Sequence, residues 1–300
     1  MSPVPGLDFC RLFAVRSCYA SVGASGGGVV YRGDPVSLGG VAFRTHVMDF
    51  DSSAVDGLVG MRETGVKYLM SPVVSGLFGV DPRLLGLEAN LPTKLEEVAA
   101  GPAGELAGLS RGDKGIRVRV GEGLRPDLLG VLQDGRLLWV EVKNLDRLEK
   151  YPPAESDINY HKLMSEFAAV ADRARHLLNF IKEVGPSKAS ACIASVVAAF
   201  AGAGASGGGV SSAFVFDPVF KMPELAGRDA KVVFVMVFFR GGRAVIYDAE
   251  VTLGMLSDES FLKNLFVNAV AAFGSVEKRE RVAELQELVD EYIRVLPLPR

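Results

Sequence analysis

An aspartate, a glutamate and a lysine, placed as Asp127 and then Glu141-Val142-Lys143, are the residues of this chain best suited to chemistry. Asp127 opens an apolar run, Leu128-Leu129-Gly130-Val131-Leu132, and Glu141 interrupts a second, Leu137 to Val142. Asp134-Gly135 between them is a tight-turn signal, so the two runs read as a β-hairpin. Two carboxylates on neighbouring strands can converge on one edge of a sheet, within reach of a shared divalent cation. Mg²⁺ or Mn²⁺ would take oxygens from Asp127 and Glu141, with the Val142 carbonyl as a third ligand. Lys143 lies two residues beyond Glu141 and so points to the same strand face. Its ammonium could orient an attacking water or stabilise charge building on a scissile phosphate. The bland alternatives are a strand-entry aspartate bonded to nearby backbone N–H groups and a solvated Glu141–Lys143 ion pair. A carboxylate inside so apolar a strand is costly to bury unless something pairs with it, which favours the metal reading.

With Pro126-Asp127 as one half-motif and Glu141-Val142-Lys143 as the other, the chain resembles the PD-(D/E)XK, or restriction-endonuclease-like, nuclease superfamily over roughly residues 91–200. The resemblance implies an α/β fold in which helices flank a mixed central β-sheet. Its core runs helix, three strands with the motif on the second and third, helix, strand. It also implies metal-dependent hydrolysis of phosphodiester bonds, of DNA above all, by a metal-activated water. Asp127 and Glu141 are then metal ligands and Lys143 the catalytic lysine. Many members add an acid from the preceding helix; Glu96, Glu97 and Glu105 are the candidates, Glu105 the preferred one. Helicase-associated members carry a Gln and Tyr pair in the following helix, whereas Tyr160-His161-Lys162-Leu163-Met164 has no Gln. The rival reading is a catalytically inactive nuclease fold serving as a nucleic-acid-binding or assembly module.

The elements that must hold these residues are read from period and punctuation. Pro92-Thr93 before Lys94-Leu95-Glu96-Glu97-Val98 reads as a helix start that pauses at Gly101-Pro102 and resumes through Glu105. Alternation predicts a strand over 115–120 with Arg117 and Arg119 outward. Apolar residues Leu163, Phe167, Val170, Ala174, Leu177, Leu178 and Ile181 fall at helical spacing, predicting a helix from about 158 to 183. A strand is expected over 191–200, and a hairpin over 231–251 about Gly241-Gly242. Two C-terminal helices follow, the second striped by Val282, Leu285, Leu288, Val289 and Tyr292, suited to docking on the core or on a second copy. Residues 1–88, rich in Gly, Ser and Val, suggest short strands and loops. The expected division is therefore an accessory region (1–88), a nuclease-like core with added strands (89–256) and C-terminal helices (257–300).

Composition sets outer limits. An apolar fraction of 49%, a charged fraction of 23% and a net charge of −3 describe a chain able to bury a core, with no global basic signature for nucleic acid. Any such partner must meet a local patch; Arg111, Lys114, Arg117, Arg119, Arg125 and Arg136 are the candidates, interspersed with Asp113, Glu122 and Asp134. His46, Asp49, Asp51 and Asp56 form a second polar group, read as turn and cap chemistry around Ser52-Ser53 rather than as a cation site. Three cysteines (Cys10, Cys18, Cys192) make neither a disulfide framework nor a four-cysteine cluster, which points to a reducing, cytoplasmic setting. Asp8, Arg11 and Arg16 break any signal-peptide pattern. Residues 189–216 carry no charge but are filled with Gly, Ala and Ser. They read as strand, glycine-rich loop and strand, not as a membrane span.

Overall fold

The run from Lys231 to Arg240 is apolar and largely β-branched or aromatic, and eight of its ten residues are buried. A strand with no polar face needs cover on both sides, and that requirement organises the molecule. The computed structural model describes residues 17–18, 29–50, 63–81, 84–99, 114–121, 123–148, 158–202 and 225–274. In chain order the elements are β1 (Ser17–Cys18), β2 (Val29–Leu38), β3 (Val41–Asp49), α1 (Glu63–Phe78), β4 (Leu85–Leu87), β5 (Pro92–Ala99), β6 (Lys114–Val120), β7 (Leu128–Val131) and β8 (Leu137–Asn144). They continue with α2 (Ile158–Val184), α3 (Pro186–Gly202), β9 (Lys231–Arg240), β10 (Arg243–Thr252), the single turn α4 (Leu253–Leu256) and α5, over 259–274.

Among the described residues, eight strands form one mixed sheet in the order β1-β2-β3-β10-β9-β8-β7-β4, and β5 with β6 makes a separate two-stranded sheet. All neighbours are antiparallel except β8 and β9, which run parallel from Leu137 opposite Val232 to Asn144 opposite Phe239. A parallel neighbour requires a long crossover, and α2 and α3 provide it. Phe167 of α2 and Phe266 of α5 stack on each other against Phe234 and Phe238 of β9. Phe239 turns the other way, to Phe50 beyond β3. The two tight hairpins follow their glycines: Gly241 and Gly242 hold φ of 58° and 80° between β9 and β10, and Gly135 holds 82° between β7 and β8.

Several expectations need correction. The segment expected as a helix over 94–98 is strand β5, because its neighbour β6 supplies a ladder from Pro92–Val120 to Ala99–Lys114. Pairing between segments overrides the weak local preference. The strand expected over 191–200 is part of α3. Its buried residues Ala189, Cys192, Ile193, Val196 and Val197 follow a helical period, alanine favours the helix, and Pro186 occupies its first position. Residues before 88 hold two long strands and a sixteen-residue helix, α1. Strand β3 pairs with β10 over Asp49–Arg243 to Arg44–Asp248, so this region is continuous with the main sheet. The second helix expected at the C-terminus lies outside the described residues, as do residues 203–224, which include most of the glycine-rich stretch. Among the described residues no helix is long and apolar enough to cross a membrane.

Candidate functional site

The β7–β8 hairpin brings Asp127 and Lys143 together and adds a contact the sequence left open. With Leu128 opposite Val140, Asp127 falls at the strand entry beside Glu141 and Val142. Its Oδ2 accepts the Val142 N–H at 2.7 Å and lies 3.8 Å from Lys143 Nζ. The Val142 contact therefore runs through its N–H, the strand-entry bond weighed above, where a carbonyl ligand had been expected. Asp127 is 5% exposed, Glu141 1% and Lys143 5%, so three ionisable groups are buried at one end of the sheet.

Burial of charge demands partners, and they arrive from elements remote in sequence. Helix α1 brings Glu63 to 3.3 Å from Lys143 Nζ, and one turn on, Lys67 to 2.6 Å from Asp127 Oδ1. Glu166 of α2 reaches Lys143 at 3.1 Å, and the Phe167 ring lies 5.9 Å from the same ammonium. Glu88 accepts from Lys67 at 3.1 Å and faces Arg125 at 3.3 Å. Its backbone sits at φ 49°, a left-handed conformation that costs a non-glycine residue energy, and its N–H is tied to the Asp127 carbonyl at 2.9 Å.

Glu141 is held by a different set of partners. Its Oε1 accepts the Trp139 indole N–H at 2.8 Å, and its Oε2 meets Arg173 of α2 at 3.1 Å. Arg173 also donates to the Arg125 carbonyl at 2.6 Å. Both oxygens of Glu141 are thus engaged by the protein. Burial lifts its carboxyl to about 7, with Arg173 opposing the rise. Asp127 moves the other way: burial pushes it up, but Lys143, Lys67 and the Val142 N–H outweigh this and leave it below its ordinary value. Burial likewise pulls Lys143 down, and Asp127, Glu141, Glu63 and Glu166 more than reverse it, so its ammonium stays charged.

Compared with known proteins, the chain matches no family model, no curated protein and no solved structure. What it can do must be read from its own geometry.

The acid that a preceding helix brings to Lys143 is Glu63 of α1. Of the residues expected in that role, Glu105 lies outside the described residues, and Glu96 and Glu97 stand on strand β5, opposite Arg117 and Ile116, not on a helix. A signal for α1 was present in Val66, Met70, Val73 and Val74, which are buried at helical spacing. Gly65, Pro72 and Gly76 masked it. Lys67, lying inside that apolar stripe, was the trace of the site.

Among the described residues no group of three His, Cys, Asp or Glu side chains is disposed to hold a metal ion. The donor chemistry is nevertheless that of a hard cation: Asp127, Glu63 and Glu88, from three elements, surround one positive centre, the Lys67 ammonium. Asp127, Glu63 and Glu88 are oxygen donors of the kind such an ion takes, and in this structure Lys67 is the cation among them.

A cleft of about 50 Å³, lined by Glu63, Glu166, Asn144 and Lys162 among others, adjoins the Lys143 partners. Lys162 is exposed there. A larger pocket of about 490 Å³ lies between Arg175, Lys182, Pro186 and Arg228. It touches none of the buried acids, so size does not mark the chemistry here. The expected basic strip does not gather as a unit. Arg125 turns to Glu88 and Arg136 to Asp134 and Glu250, Lys114, Arg117 and Arg119 belong to the separate β5–β6 sheet, and Arg111 lies outside the described residues. His46 and Asp49 are also not one site. His46 Nε2 bonds Asp248 at 2.7 Å and Asp49 pairs with Arg243 at 2.5 Å, both within the β3–β10 ladder rather than in turns. Asp51 and Asp56 are outside the described residues.

Proposed function

We propose that this chain is a divalent-metal-dependent nuclease of the PD-(D/E)XK type, hydrolysing phosphodiester bonds of DNA. The observation that carries the reading is the buried Lys143 ammonium, held by Asp127 from the neighbouring strand and by Glu63 and Glu166 from two helices. Topology supports it as well. Helix α1 precedes three antiparallel strands β4, β7 and β8 with the motif at the second and third, and α2 then leads through α3 to β9, parallel to β8. That is the order expected of the restriction-endonuclease-like core, with β5–β6 as an inserted hairpin.

Asp127 and Glu63 are the residues that would hold Mg²⁺ or Mn²⁺, with Glu88 beside them as a partner of Lys67. The ion when bound would act as a Lewis acid on a phosphate oxygen and lower the pKa of a bound water. Lys143 keeps its proton and offers fixed positive charge to the oxygens of a scissile phosphate. Glu166 and Glu63 fix the direction of that ammonium. Glu141 acts from behind, anchoring Trp139 and Arg173 and through Arg173 the chain at Arg125. Lys162, at the mouth of the cleft, is suited to an adjacent backbone phosphate.

One observation favours a second reading, an inactive nuclease fold used for binding or assembly: every carboxylate oxygen of Asp127 and Glu141 already has a protein partner. Labelled single-stranded, duplex and branched DNA, incubated with and without Mn²⁺, separates the two. The parent should cleave only with metal, and Asp127→Ala and Lys143→Ala should each lose about a hundredfold or more. Equal rates in parent and variants would reject the assignment, and no cleavage by the parent under any of these conditions would leave the binding module.

A further inference from the structure

Lys67 is the charged residue that hydrolysis does not need. Its ammonium lies 2.6 Å from Asp127, 3.1 Å from Glu88 and 3.5 Å from Glu63. Only 11% of its side chain is exposed, although a lysine on a helix normally carries its charge out to water. We propose that Lys67 is a built-in counter-ion that competes with the divalent cation for Asp127 and Glu63, so that the site is plugged by its own ammonium until metal displaces it. The inference rests on the hydrolytic reading above and adds the control of that same site.

The geometry argues for exclusion rather than sharing. Carboxylate oxygens stand roughly 2.0–2.6 Å from a hard divalent ion, whereas an ammonium keeps them about 2.7 Å or more away. Acids spread round an amine must close in to chelate, and they cannot do so while the amine remains. This accounts for three converging carboxylates that form no chelating group as they stand. An exit for the ammonium exists. Glu88 is the partner nearer solvent, its side chain 28% exposed against 7% for Asp127. Lys67 can release Asp127 and stay paired with Glu88. Lys143 is held instead by Glu166 and Glu63, so the two lysines divide the work, one fixed for chemistry and one movable.

Mn²⁺ binding followed by electron paramagnetic resonance tests this without reference to turnover. Lys67→Met, which keeps the length and removes the charge, should bind Mn²⁺ about tenfold or more tightly than the parent. Lys67→Arg, which keeps the charge, should bind no better than the parent, and Asp127→Asn should abolish binding. Equal affinity of parent and Lys67→Met, with binding still lost in Asp127→Asn, would overturn the counter-ion role and leave the hydrolytic reading intact. No Mn²⁺ binding by parent or Lys67→Met at millimolar ion would overturn both. Because a variant can fail to fold, the parent itself gives a second measure, amine acylation at Lys67 read by mass spectrometry. Mn²⁺ should raise labelling of Lys67 several-fold while that of exposed Lys231 stays level. Unchanged or reduced labelling of Lys67 would reject displacement.

Discussion

Lys143 and Glu141 stand two residues apart on one strand and do opposite things, because their neighbours differ. Lys143 is surrounded by carboxylates and is held as a cation. Glu141 is enclosed by the sheet with one arginine and one indole N–H, and burial dominates. The consequence for stability has a definite sign. Its folded carboxyl titrates at about 7 against an ordinary 4.5, so between these values the folded chain binds a proton that the unfolded chain has released. The stability this provides is complete below about 4.5 and is lost as pH rises through about 7. Glu141→Gln cannot ionise and escapes that loss. The unfolding free energy of Glu141→Gln minus that of the parent, from urea unfolding, should therefore rise between pH 5 and pH 8 by on the order of 1–3 kcal/mol. A difference that stays flat across this range would mean that Glu141 is ionised throughout. Asp127 has the opposite sign: its lowered carboxyl contributes stability present at neutral pH and lost on acidification below its ordinary 3.8.

At the scale of elements, α2 combines packing and site on one face. Glu166 and Arg173 are seven residues apart, two helical turns, and lie beside the buried Leu163, Phe167, Val170, Ala174 and Leu177. The side chains that fix Lys143 and Glu141 are thus positioned by an apolar stripe pressed on β9. Phe167 is the hinge of that arrangement, since it touches Phe238 and Phe266 and lies below the Lys143 ammonium. Phe167→Ala should cost about 3–5 kcal/mol in urea unfolding through the cavity it leaves. A loss below about 1 kcal/mol would show that α2 is held on the sheet by other contacts.

For the whole molecule, the N-terminal third is structural. Strand β3 covers β10, and α1 supplies Glu63 and Lys67 to residues beyond 126. A chain beginning at residue 89 would leave apolar β10 as an open edge and Asp127 without its nearest cation, and such edges pair with other chains. Such a truncation should aggregate or melt without a cooperative transition, as judged by size-exclusion chromatography and circular dichroism. A monomer that melts cooperatively would show that residues 89–300 fold independently of the segment before them.

The sequence by itself determined the local facts. The apolar runs and turn residues of β7–β8 and β9–β10 were readable, as was the apolar period of α2, because burial is recorded in each segment's own run or period of apolar residues. Asp127, Glu141 and Lys143 were legible for the same reason: charges in apolar strands stand out. Only the tertiary structure decided their partners. Lys143 meets Glu63 across 80 positions and Glu141 meets Arg173 across 32. Nothing in a local period says which distant acid will face which amine. The identity of β5 and α3 depended on tertiary context as well, through a strand partner in one case and core packing in the other. The pairing of Glu141 with Trp139 and Arg173, and of Lys67 with three acids, follows from how separate elements come to share one desolvated volume, where every charge must find its opposite.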